Sequence, residues 1–421
     1  MTEPEHFTRL AHWAAQTSIA FAPDDDPALN AAVDRLVAGL DPAVRVLALG
    51  ETLHGSEPLL RLRNRIFQRL AEAHGYTAVA LESSFPRGRL LNEFVQGRGP
   101  DDYSAVQAAG FSHNFGALAG NRELAEWLRQ ANAARSANAQ LHLDGFDSPT
   151  EMGPTDSPRP TLSFALGYAA AHDPACAAEF RQRIDPLLGD DAAWENPAVI
   201  MDASLAVGGT PAAQALRLAV EDLLTHFDVN QPAWAAPDPA AFAEARHYAH
   251  LTRQLLTYHA GLAQAGPGQV ARLLAQRDVM MADNAAYLLA REQARGGKLC
   301  LFAHNSHLQR GPAQWLLGPE LNTWWPAGAH LAARLGAGYA VIGTALAAAP
   351  AQGVGPAEPG TLEAALAAGP GPARLVPVPR DPALATAPWP PRSRSASNST
   401  YFPLPARALQ DFDWLLVLSE A

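Results

Sequence analysis

The sequence predicts an α/β fold: a central, largely parallel sheet flanked by helices, with a helical insertion lobe over the C-terminal strand ends. Short apolar runs closed by glycine or acidic residues alternate with amphipathic helical patterns, as expected of strands and helices in turn. One complete strand-helix-strand unit near the start of the chain indicates parallel strands. A long stretch of helical periods then separates the first predicted strands from the last ones.

The first strand-helix-strand unit is the clearest part of the pattern. Residues 44–49 (V-R-V-L-A-L) form an apolar run closed by Gly50, which is typical of a buried strand. Ser56 can cap the helix that follows, and the apolar residues of that helix fall on one stripe. Residues 77–81 (T-A-V-A-L) form the next predicted strand, which ends at Glu82.

The pattern changes after a third predicted strand at residues 140–143. Residues 148–160 are rich in proline, serine and glycine, which is typical of a loop. Residues 161–295 show helical periods and no convincing strand. The chain is therefore expected to divide into residues 1–150 as the N-terminal part of the α/β core, 151–296 as the helical lobe, and 297–421 as the C-terminal part of the core.

The sheet is expected to resume after the lobe at residues 298–302 (K-L-C-L-F). Residues 346–399 are rich in alanine, proline and glycine, a composition that predicts mainly irregular surface loops. The other predicted elements are helices at 121–134, 211–227, 239–264, 269–295 and 362–368, and strands at 339–344, 374–378 and 413–418.

Composition and charge narrow the classes of partner. A net charge of -11 argues against a nucleic-acid-binding surface, which needs a basic face. The N-terminal residues carry acids where a signal peptide would carry lysine or arginine, and no run of 18 apolar residues occurs. We therefore expect a cytoplasmic protein, monomeric or weakly oligomeric, that acts on a small molecule and binds neither nucleic acid nor membrane.

Titratable side chains lie at the ends of four predicted strands. Ligands of open α/β sheets bind outside the carboxyl ends of the strands, so these side chains are expected to share one pocket. They are Glu51 and His54 after the first strand, Glu82 after the second, Asp147 after the third, and His304 and His307 after the fourth.

Two chemistries fit such a set of residues. A histidine could act as general base on water while a carboxylate orients it and an arginine stabilises the developing anion. Alternatively, the histidines and carboxylates could bind a divalent metal that activates water. The chain contains no G-x-S-x-G elbow, no G-x-x-x-x-G-K-[ST] loop and no H-E-x-x-H motif, which argues against a serine hydrolase, a P-loop nucleotide site and that type of zinc site.

The segment R-D-V-M-M-A-D-N adds a further candidate. Arg277, Met281 and Asn284 are spaced at i, i+4 and i+7, so they share one face of a helix. This helix leads back into the sheet, so the stripe could point into the cleft. It could equally form surface salt bridges, and the pattern does not decide between them.

Five short motifs occur in order along the chain: L-G-E-T-L-H-G-S, A-L-E-S-S-F-P, G-F-D, R-D-V-M-M-A-D-N and A-H-N-S-H. Together they resemble the erythromycin esterase family, over nearly the whole chain from Val44 to the C-terminus. The resemblance implies a central sheet with helices on both sides and a helical lobe over the cleft. It also implies a carboxylic ester hydrolase that opens a macrolide lactone or another ester, without a covalent serine intermediate, a metal or a cofactor.

The resemblance further implies roles for individual residues. His54 corresponds to the general base for water, and Arg63 to a group that holds the carbonyl oxygen or the oxyanion. His304 is expected to protonate the leaving alkoxide. The implied catalytic residues are His54, Glu82, Glu51, Arg63 and His304, and the implied substrate-binding or supporting residues are His307, Asn305, Asp147, Arg277, Asp278 and Asn284.

Two positions depart from the family pattern. Leu53 stands where a threonine is usual, and Ser306 stands where a glycine is commoner. Both are expected beside the cleft and therefore bear on macrolide specificity. Two other functions retain the same pocket: a metal-dependent hydrolase that uses the same histidines and glutamates, and a non-hydrolytic protein that binds or makes a small molecule.

Overall fold

A mixed eight-stranded sheet forms the centre of the protein, in a computed structural model that describes residues 5–150 and 155–420. A two-stranded hairpin lies outside this sheet. The strands are β1 (Ile19–Phe21), β2 (Val46–Glu51), β3 (Tyr76–Ser84), β4 (His142–Asp147), β5 (Lys298–His304), β6 (Ala313–Leu317), β7 (Glu320–Trp324), β8 (Tyr339–Leu346), β9 (Ala373–Pro377) and β10 (Trp414–Leu418).

Helices account for most of the remaining chain. They are α1 (Glu5–Thr17), α2 (Asp26–Ala38), α3 (Glu57–Ala73), α4 (Phe85–Val95), α5 (Ser104–Gln107), α6 (Ala119–Asn132), α7 (Arg159–His172), α8 (Pro174–Leu188), α9 (Asp191–Trp194), α10 (Pro211–Trp234), α11 (Pro239–Leu262), α12 (Gln269–Gln293), α13 (Asn305–Leu308), α14 (Ala327–Leu335), α15 (Leu362–Ala367), α16 (Pro382–Ala385) and α17 (Ala408–Asp411). No helix in these described ranges combines the length and the apolar composition needed to cross a bilayer.

The strand order of the large sheet is β1-β9-β10-β8-β2-β5-β3-β4. The six strands from β10 to β4 run parallel to one another, and β9 runs antiparallel to both of its neighbours, β10 and β1. The predicted largely parallel α/β sheet is therefore confirmed. Because β2, β5, β3 and β4 are consecutive and parallel, their last residues lie along one edge of the sheet, which we call the carboxyl edge.

Both faces of the sheet are covered by helices, as the alternation of side chains in β2 shows. Leu47 and Leu49 join an apolar cluster with α2, α3 and α6 on one face. Val46 and Ala48 join a second cluster with α12, α14 and α15 on the other face. A strand buried on both faces reads as a continuous apolar run, which explains why the sequence pattern locates β2.

The strands at the carboxyl edge are longer than predicted. β2 continues to Glu51, β3 to Ser84, β4 to Asp147 and β5 to His304. The apolar criterion ends a predicted strand at its first polar residue, but here the backbone ladder continues, with Glu51 paired to His304 in register. Several predicted site residues are therefore the last residues of buried strands and not members of loops.

The lobe has an apolar core of its own, formed by α7, α8, α10 and α11. α10 is longer than predicted and includes Pro232 near its end, where few helical hydrogen bonds remain to be lost. α12 leaves this lobe and packs along β4 and β5. The proposed boundaries of the lobe, 151 and 296, stay a prediction.

Two parts of the chain differ from the sequence pattern. The hairpin β6–β7 and the short strand β1 were not predicted. Residues 346–399 were expected to be mainly surface loops with one helix and one strand. The helix and the strand are present as α15 and β9, but Leu362, Leu366 and Trp389 are buried in the core on one face of the sheet. Alanine, proline and glycine leave little periodicity, so their composition conceals the few large side chains that anchor this segment.

Candidate active site

The turn between β2 and α3 carries the central pair of the site. His54 Nδ1 lies 2.7 Å from Glu51 Oε1, and the Glu51 side chain is buried. The His54 ring is 25% exposed, and its Nε2 has no hydrogen-bond partner among the described residues. A neutral ring that donates through Nδ1 to the carboxylate therefore presents Nε2 as an acceptor on its open side.

Charge around this pair controls its protonation. Burial by itself disfavours the imidazolium, but the carboxylates of Glu82 and Glu51 outweigh it and raise the pKa of His54 to about 9. Burial also raises the pKa of Glu51, although the hydrogen bond from His54 opposes that change. Glu51 Oε2 is buried and has no hydrogen-bond partner. The His54 ring is thus held in a field that favours its protonated form.

Asn305 lies between the ends of β5, β8 and β2. The Asn305 side chain donates to Thr344 O at 2.9 Å and accepts from Thr344 N at 3.0 Å, which joins the end of β5 to β8. Gly50 lies directly against it, and a Cβ at this position would lie 2.1 Å from Asn305 Oδ1. Asn305 thus acts as a support for the backbone, and Gly50 is required by close approach and not by its dihedral angles.

We expect Gly50→Ala to lower the thermal midpoint of unfolding, because Asn305 cannot move without losing two buried hydrogen bonds. Gly167→Ala is the matched control, because Gly167 lies within α7 and a Cβ there would meet nothing within 4 Å. The control is expected to be neutral or to stabilise the protein by up to about 1 kcal/mol. Equal thermal midpoints for Gly50→Ala and the wild type would contradict the close contact.

Arg277 of α12 links two strand ends through buried ion pairs. Its Nε and Nη2 atoms donate to the two carboxylate oxygens of Asp147 at 2.9 and 2.6 Å, and Nη2 also donates to Glu82 Oε1 at 2.9 Å. Burial alone would raise the pKa of Glu82, but His307, His54 and Arg277 hold it well below its usual value. The sequence left open whether Arg277 points into the cleft or forms surface salt bridges. In the structure its side chain is buried at the carboxyl edge.

The His307 ring lies between the carboxylates of Asp278 and Glu82. Its Nδ1 is 2.9 Å from Asp278 Oδ1, and its Nε2 is 3.4 Å from Glu82 Oε1. Burial opposes protonation of this ring, but Asp278 and Glu82 together raise its pKa. Asp278 also accepts hydrogen bonds from the Trp324 indole at 2.7 Å and from Ala327 N at 2.8 Å. His307 and Asp278 therefore support the site from behind.

His304 is held as a neutral ring. Its Nε2 lies 3.2 Å from Thr52 O, which can only accept, and its Nδ1 accepts from Ser306 N at 3.1 Å. Burial, aided by the neighbouring His54, lowers the pKa of His304 to about 3. The backbone N–H of His304 donates to Glu82 Oε2 at 2.7 Å. Both ring nitrogens are therefore occupied, with the proton on Nε2.

Arg63 belongs to α3, which follows the turn that carries His54, and it is 1% exposed. Its Nη2 donates to Asn64 Oδ1 at 2.7 Å and to Asn121 Oδ1 at 2.9 Å, and its guanidinium lies 4.7 Å from the centre of the Phe302 ring. Burial lowers its pKa to about 10, so it stays cationic at neutral pH. A small cavity beside the Arg63 side chain is also lined by Glu51 and Glu82.

A larger apolar cavity of about 210 Å³ adjoins these residues and is partly open to solvent. Arg277 and Trp315 lie on its wall, and Trp315 also approaches Phe402, whose ring centre is 5.0 Å from that of His304. The cavity therefore lies beside the group of titratable residues at the carboxyl edge. Its other lining residues come mainly from α11, α12 and β6: Thr150, Ile200, Tyr258, Leu262, Gln269, Val270, Leu273, Leu274 and Leu317.

The structure brings the predicted site residues into one connected group at the carboxyl edge. Asn284 lies further back, where its side chain donates to the backbone oxygens of β4 and accepts from His247. Leu53 does not lie beside the cleft as expected, because it is 0% exposed and packs in the core of the sheet. Ser306 does lie at the site, where it contacts the His304 ring.

Several residues at the site were not predicted. Thr400 and Phe402 contact the turn between β2 and α3 from the C-terminal part of the chain. Phe115 packs against the His54 ring with 5.3 Å between ring centres, and Trp324 binds Asp278. These residues lie in loops, in a short 3₁₀ helix or in the hairpin, and they belong to no motif, so only knowledge of the tertiary structure could have identified them.

The donor set at the carboxyl edge is poorly suited to a divalent metal, because Arg277 neutralises Glu82 and Asp147 and occupies their oxygens. A different group of three metal-type donors lies in the lobe, within the described ranges. It consists of Asp173, Cys176 and His226. There the thiol lies 3.2 Å from His226 Nε2, and the cluster takes no part in the site described above.

The sequence model of the erythromycin esterase family matches residues 71–421. The chain belongs to the erythromycin esterase family. Membership of this family supports a hydrolase function. The match begins inside α3, so it does not include Glu51, His54 or Arg63, and the argument for these three residues depends on the geometry given above.

A curated relative and three solved structures extend the comparison. The erythromycin esterase type II of Escherichia coli is 30% identical over 109 residues, which are 26% of this chain and 25% of that protein. The matched region thus spans about a quarter of the length of this relative.

Among solved structures, a Bacillus cereus protein has a TM-score of 0.75 at 17% identity, with 99% of this chain and 98% of that chain covered. A succinoglycan biosynthesis protein has a TM-score of 0.72 at 16% identity and covers 100% and 98%. A mutant of the erythromycin esterase EreC in its open conformation has a TM-score of 0.65 at 19% identity and covers 92% and 93%. At these identities the three structures support the fold of the erythromycin esterase family alone.

Proposed function

We propose that the protein hydrolyses an ester or lactone and that His54 activates the attacking water. The observation that carries this proposal is the Glu51–His54 pair, in which Nδ1 is bound to a buried carboxylate and Nε2 is open. A carboxylate, an imidazole and a water form the arrangement needed for general base catalysis. Membership of the erythromycin esterase family supports the same type of reaction.

In the proposed mechanism, His54 Nε2 takes a proton from water as the water oxygen attacks the carbonyl carbon. Glu51 keeps the ring in its Nδ1–H tautomer and stabilises the imidazolium that forms. The tetrahedral intermediate carries a negative charge. The buried, charged guanidinium of Arg63 would stabilise this charge through its electric field, since its Nε and Nη2 already donate to Asn64 and Asn121.

The intermediate then collapses as the carbon–oxygen bond to the leaving alkoxide breaks. The His54 imidazolium can return its proton to this oxygen, because it holds the proton taken from water. His304 was expected to do this, but its Nε2 proton is directed to Thr52 O and its Nδ1 accepts from Ser306 N. These contacts favour His54 for both transfers and His304 as a neutral wall of the site.

The lining of the adjoining cavity supports a substrate with a mainly apolar part. Its wall is formed by leucine, valine, isoleucine and tryptophan side chains, and its one cation, Arg277, is already paired with two carboxylates. A volume of about 210 Å³ is smaller than the roughly 300–1,000 Å³ of sites that bury a whole drug-sized ligand, so the cavity would hold an apolar part of the substrate. A macrolide lactone is the candidate that the family suggests.

A panel of substrates tests this function directly. We expect hydrolysis of at least one member of a panel containing erythromycin and 4-nitrophenyl esters of increasing acyl length, with product detected by mass spectrometry. Activity should survive dialysis against a chelator, because the proposed reaction uses protein groups alone. Loss of activity on chelation, restored by a divalent metal, would instead support the metal-dependent alternative.

The pH dependence of hydrolysis should report the charge around His54. A general base acts when it is neutral, so activity is lost as pH falls through its pKa, which Glu82 and Glu51 raise to about 9. We therefore expect the acidic limb of the kcat/KM profile to lie above 6.5, towards pH 9. Glu51→Gln should move this limb to lower pH and reduce the plateau rate, since both the negative charge and the stabilised imidazolium are lost.

Glu123→Gln serves as the matched control for this profile. Glu123 is an exposed glutamate that pairs with Arg61 on the surface, so its replacement should leave the limb in place. A wild-type limb at or below pH 6.5, or a limb that Glu51→Gln does not move, would contradict the assignment of His54 as the base.

A further inference from the structure

Residues 393–404, which we call the strap, cross the catalytic turn from the C-terminal part of the chain. Phe402 N donates to Thr52 O at 2.9 Å, and the Thr52 hydroxyl donates to Phe402 O at 2.5 Å. The backbone N–H of His54 donates to Thr400 Oγ1 at 3.3 Å. The strap therefore holds the turn on both sides of Leu53.

The Thr400 hydroxyl is oriented for this contact. It donates its proton to Asn398 Oδ1 at 2.7 Å, so a lone pair is directed to the His54 N–H. Asn398 Oδ1 also accepts from Thr400 N at 3.0 Å, and the Asn398 amide donates to Gln352 O at 3.2 Å. A short chain of hydrogen bonds thus connects the catalytic turn to a loop of the core.

Phe402 connects the strap to the second histidine of the site. Its ring centre lies 5.0 Å from that of His304 in an edge-on arrangement, and the Arg394 guanidinium lies 3.9 Å from the same ring centre. Thr52 O accepts from both Phe402 N and His304 Nε2, so one carbonyl links the strap, the turn and the neutral His304 ring.

We propose that Thr400 and Asn398 are positioning residues that set the place of the His54 ring through its backbone. This inference rests on the proposed function, because it concerns the rate of a reaction that His54 initiates. The turn has few hydrogen bonds of its own, and His54 is followed by Gly55 at φ 76°. Without the strap contact, the His54 N–H would lose its partner and the ring could move away from Glu51.

Thr400→Val and Thr400→Ser form a matched pair. Valine keeps the shape of threonine but removes the hydroxyl, whereas serine keeps the hydroxyl. With 4-nitrophenyl butyrate as probe, we expect Thr400→Val to lower kcat about tenfold to a hundredfold with little change in KM, because a small misplacement of a catalytic group is costly. Thr400→Ser should retain most of the wild-type kcat, and Ser397→Ala, an exposed change within the strap, should have no effect.

The His54 ring is followed in parallel by NMR titration of labelled histidine, which needs no substrate. Thr400→Val should bring the pKa of His54 down towards 6.5, because the ring loses its fixed contact with Glu51, while Thr400→Ser keeps the wild-type titration. If Thr400→Val does not fold, Asn398→Ala carries the same expectation, since it leaves the Thr400 hydroxyl but removes the oxygen that orients it.

The outcomes separate the two claims. If Thr400→Val, or Asn398→Ala in its place, has the wild-type kcat and the wild-type His54 titration, the positioning role is overturned. If the wild type hydrolyses no ester but Thr400→Val still alters the His54 titration, the positioning role stands and the proposed hydrolase function fails. Equal losses in Thr400→Val and Thr400→Ser would also overturn the inference, because the hydroxyl would then not be the group that matters.

Discussion

His54→Ala is expected to lower kcat by about 10²–10⁴-fold, because it removes the group that takes the proton from water. KM should change little, since the apolar cavity that is proposed to hold part of the substrate does not include His54. The measurement is steady-state hydrolysis of an ester that the wild type accepts, at a pH where the wild type is on its plateau.

Leu53→Thr is the informative comparison for this variant. Leu53 is adjacent in sequence, but its side chain is 0% exposed and packs in the core. Threonine at this position would place a hydroxyl among apolar groups, so the thermal midpoint of unfolding should fall. The kcat of this variant should fall much less than that of His54→Ala. If His54→Ala and Leu53→Thr retained the same kcat on every substrate, His54 would not be the base.

Arg277→Met is expected to destabilise the protein by about 3–5 kcal/mol, because it leaves the carboxylates of Asp147 and Glu82 buried without their common cation. The measurement is equilibrium unfolding in urea at neutral pH. Part of the loss should be recovered when pH is lowered, since protonation of the two carboxylates removes the uncompensated charge.

Arg122→Met provides the contrast. Arg122 also pairs with a carboxylate, Glu126, but both side chains are about half exposed. Water already solvates this pair, so its loss should produce no measurable change in unfolding. A similarly small effect for Arg277→Met would contradict this prediction. Asp147 and Glu82 would then find other partners, and Arg277 would not hold the ends of β3 and β4 together.

The sequence was sufficient for the parts of the fold that depend on local apolar patterns. The runs in β2 and β3 predict buried parallel strands, and the parallel arrangement places Glu51 and Glu82 at one edge. His304 follows from the same rule applied to β5. In each case the strand itself extends further than its apolar run, because a polar residue that is paired in the interior does not end the backbone ladder.

The remaining parts of the site depend on contacts between distant segments. Thr400 reaches the His54 turn across a sequence separation of 346 residues, and no periodicity marks it. Trp324 binds Asp278 from a hairpin whose strands are only partly buried and carry little apolar alternation. The helical spacing of Arg277 fits a surface salt bridge and a buried ion pair equally well, so the sequence does not decide between them.

The position of β2 in the sheet has a consequence for the newly made chain. Its two neighbours are β5 and β8, which begin at Lys298 and Tyr339. While the ribosome synthesises the first several hundred residues, both edges of this apolar strand lack their native partners. Such edges promote association between chains. The strand that carries Glu51 is therefore open to association with other chains until the last third of the protein has emerged.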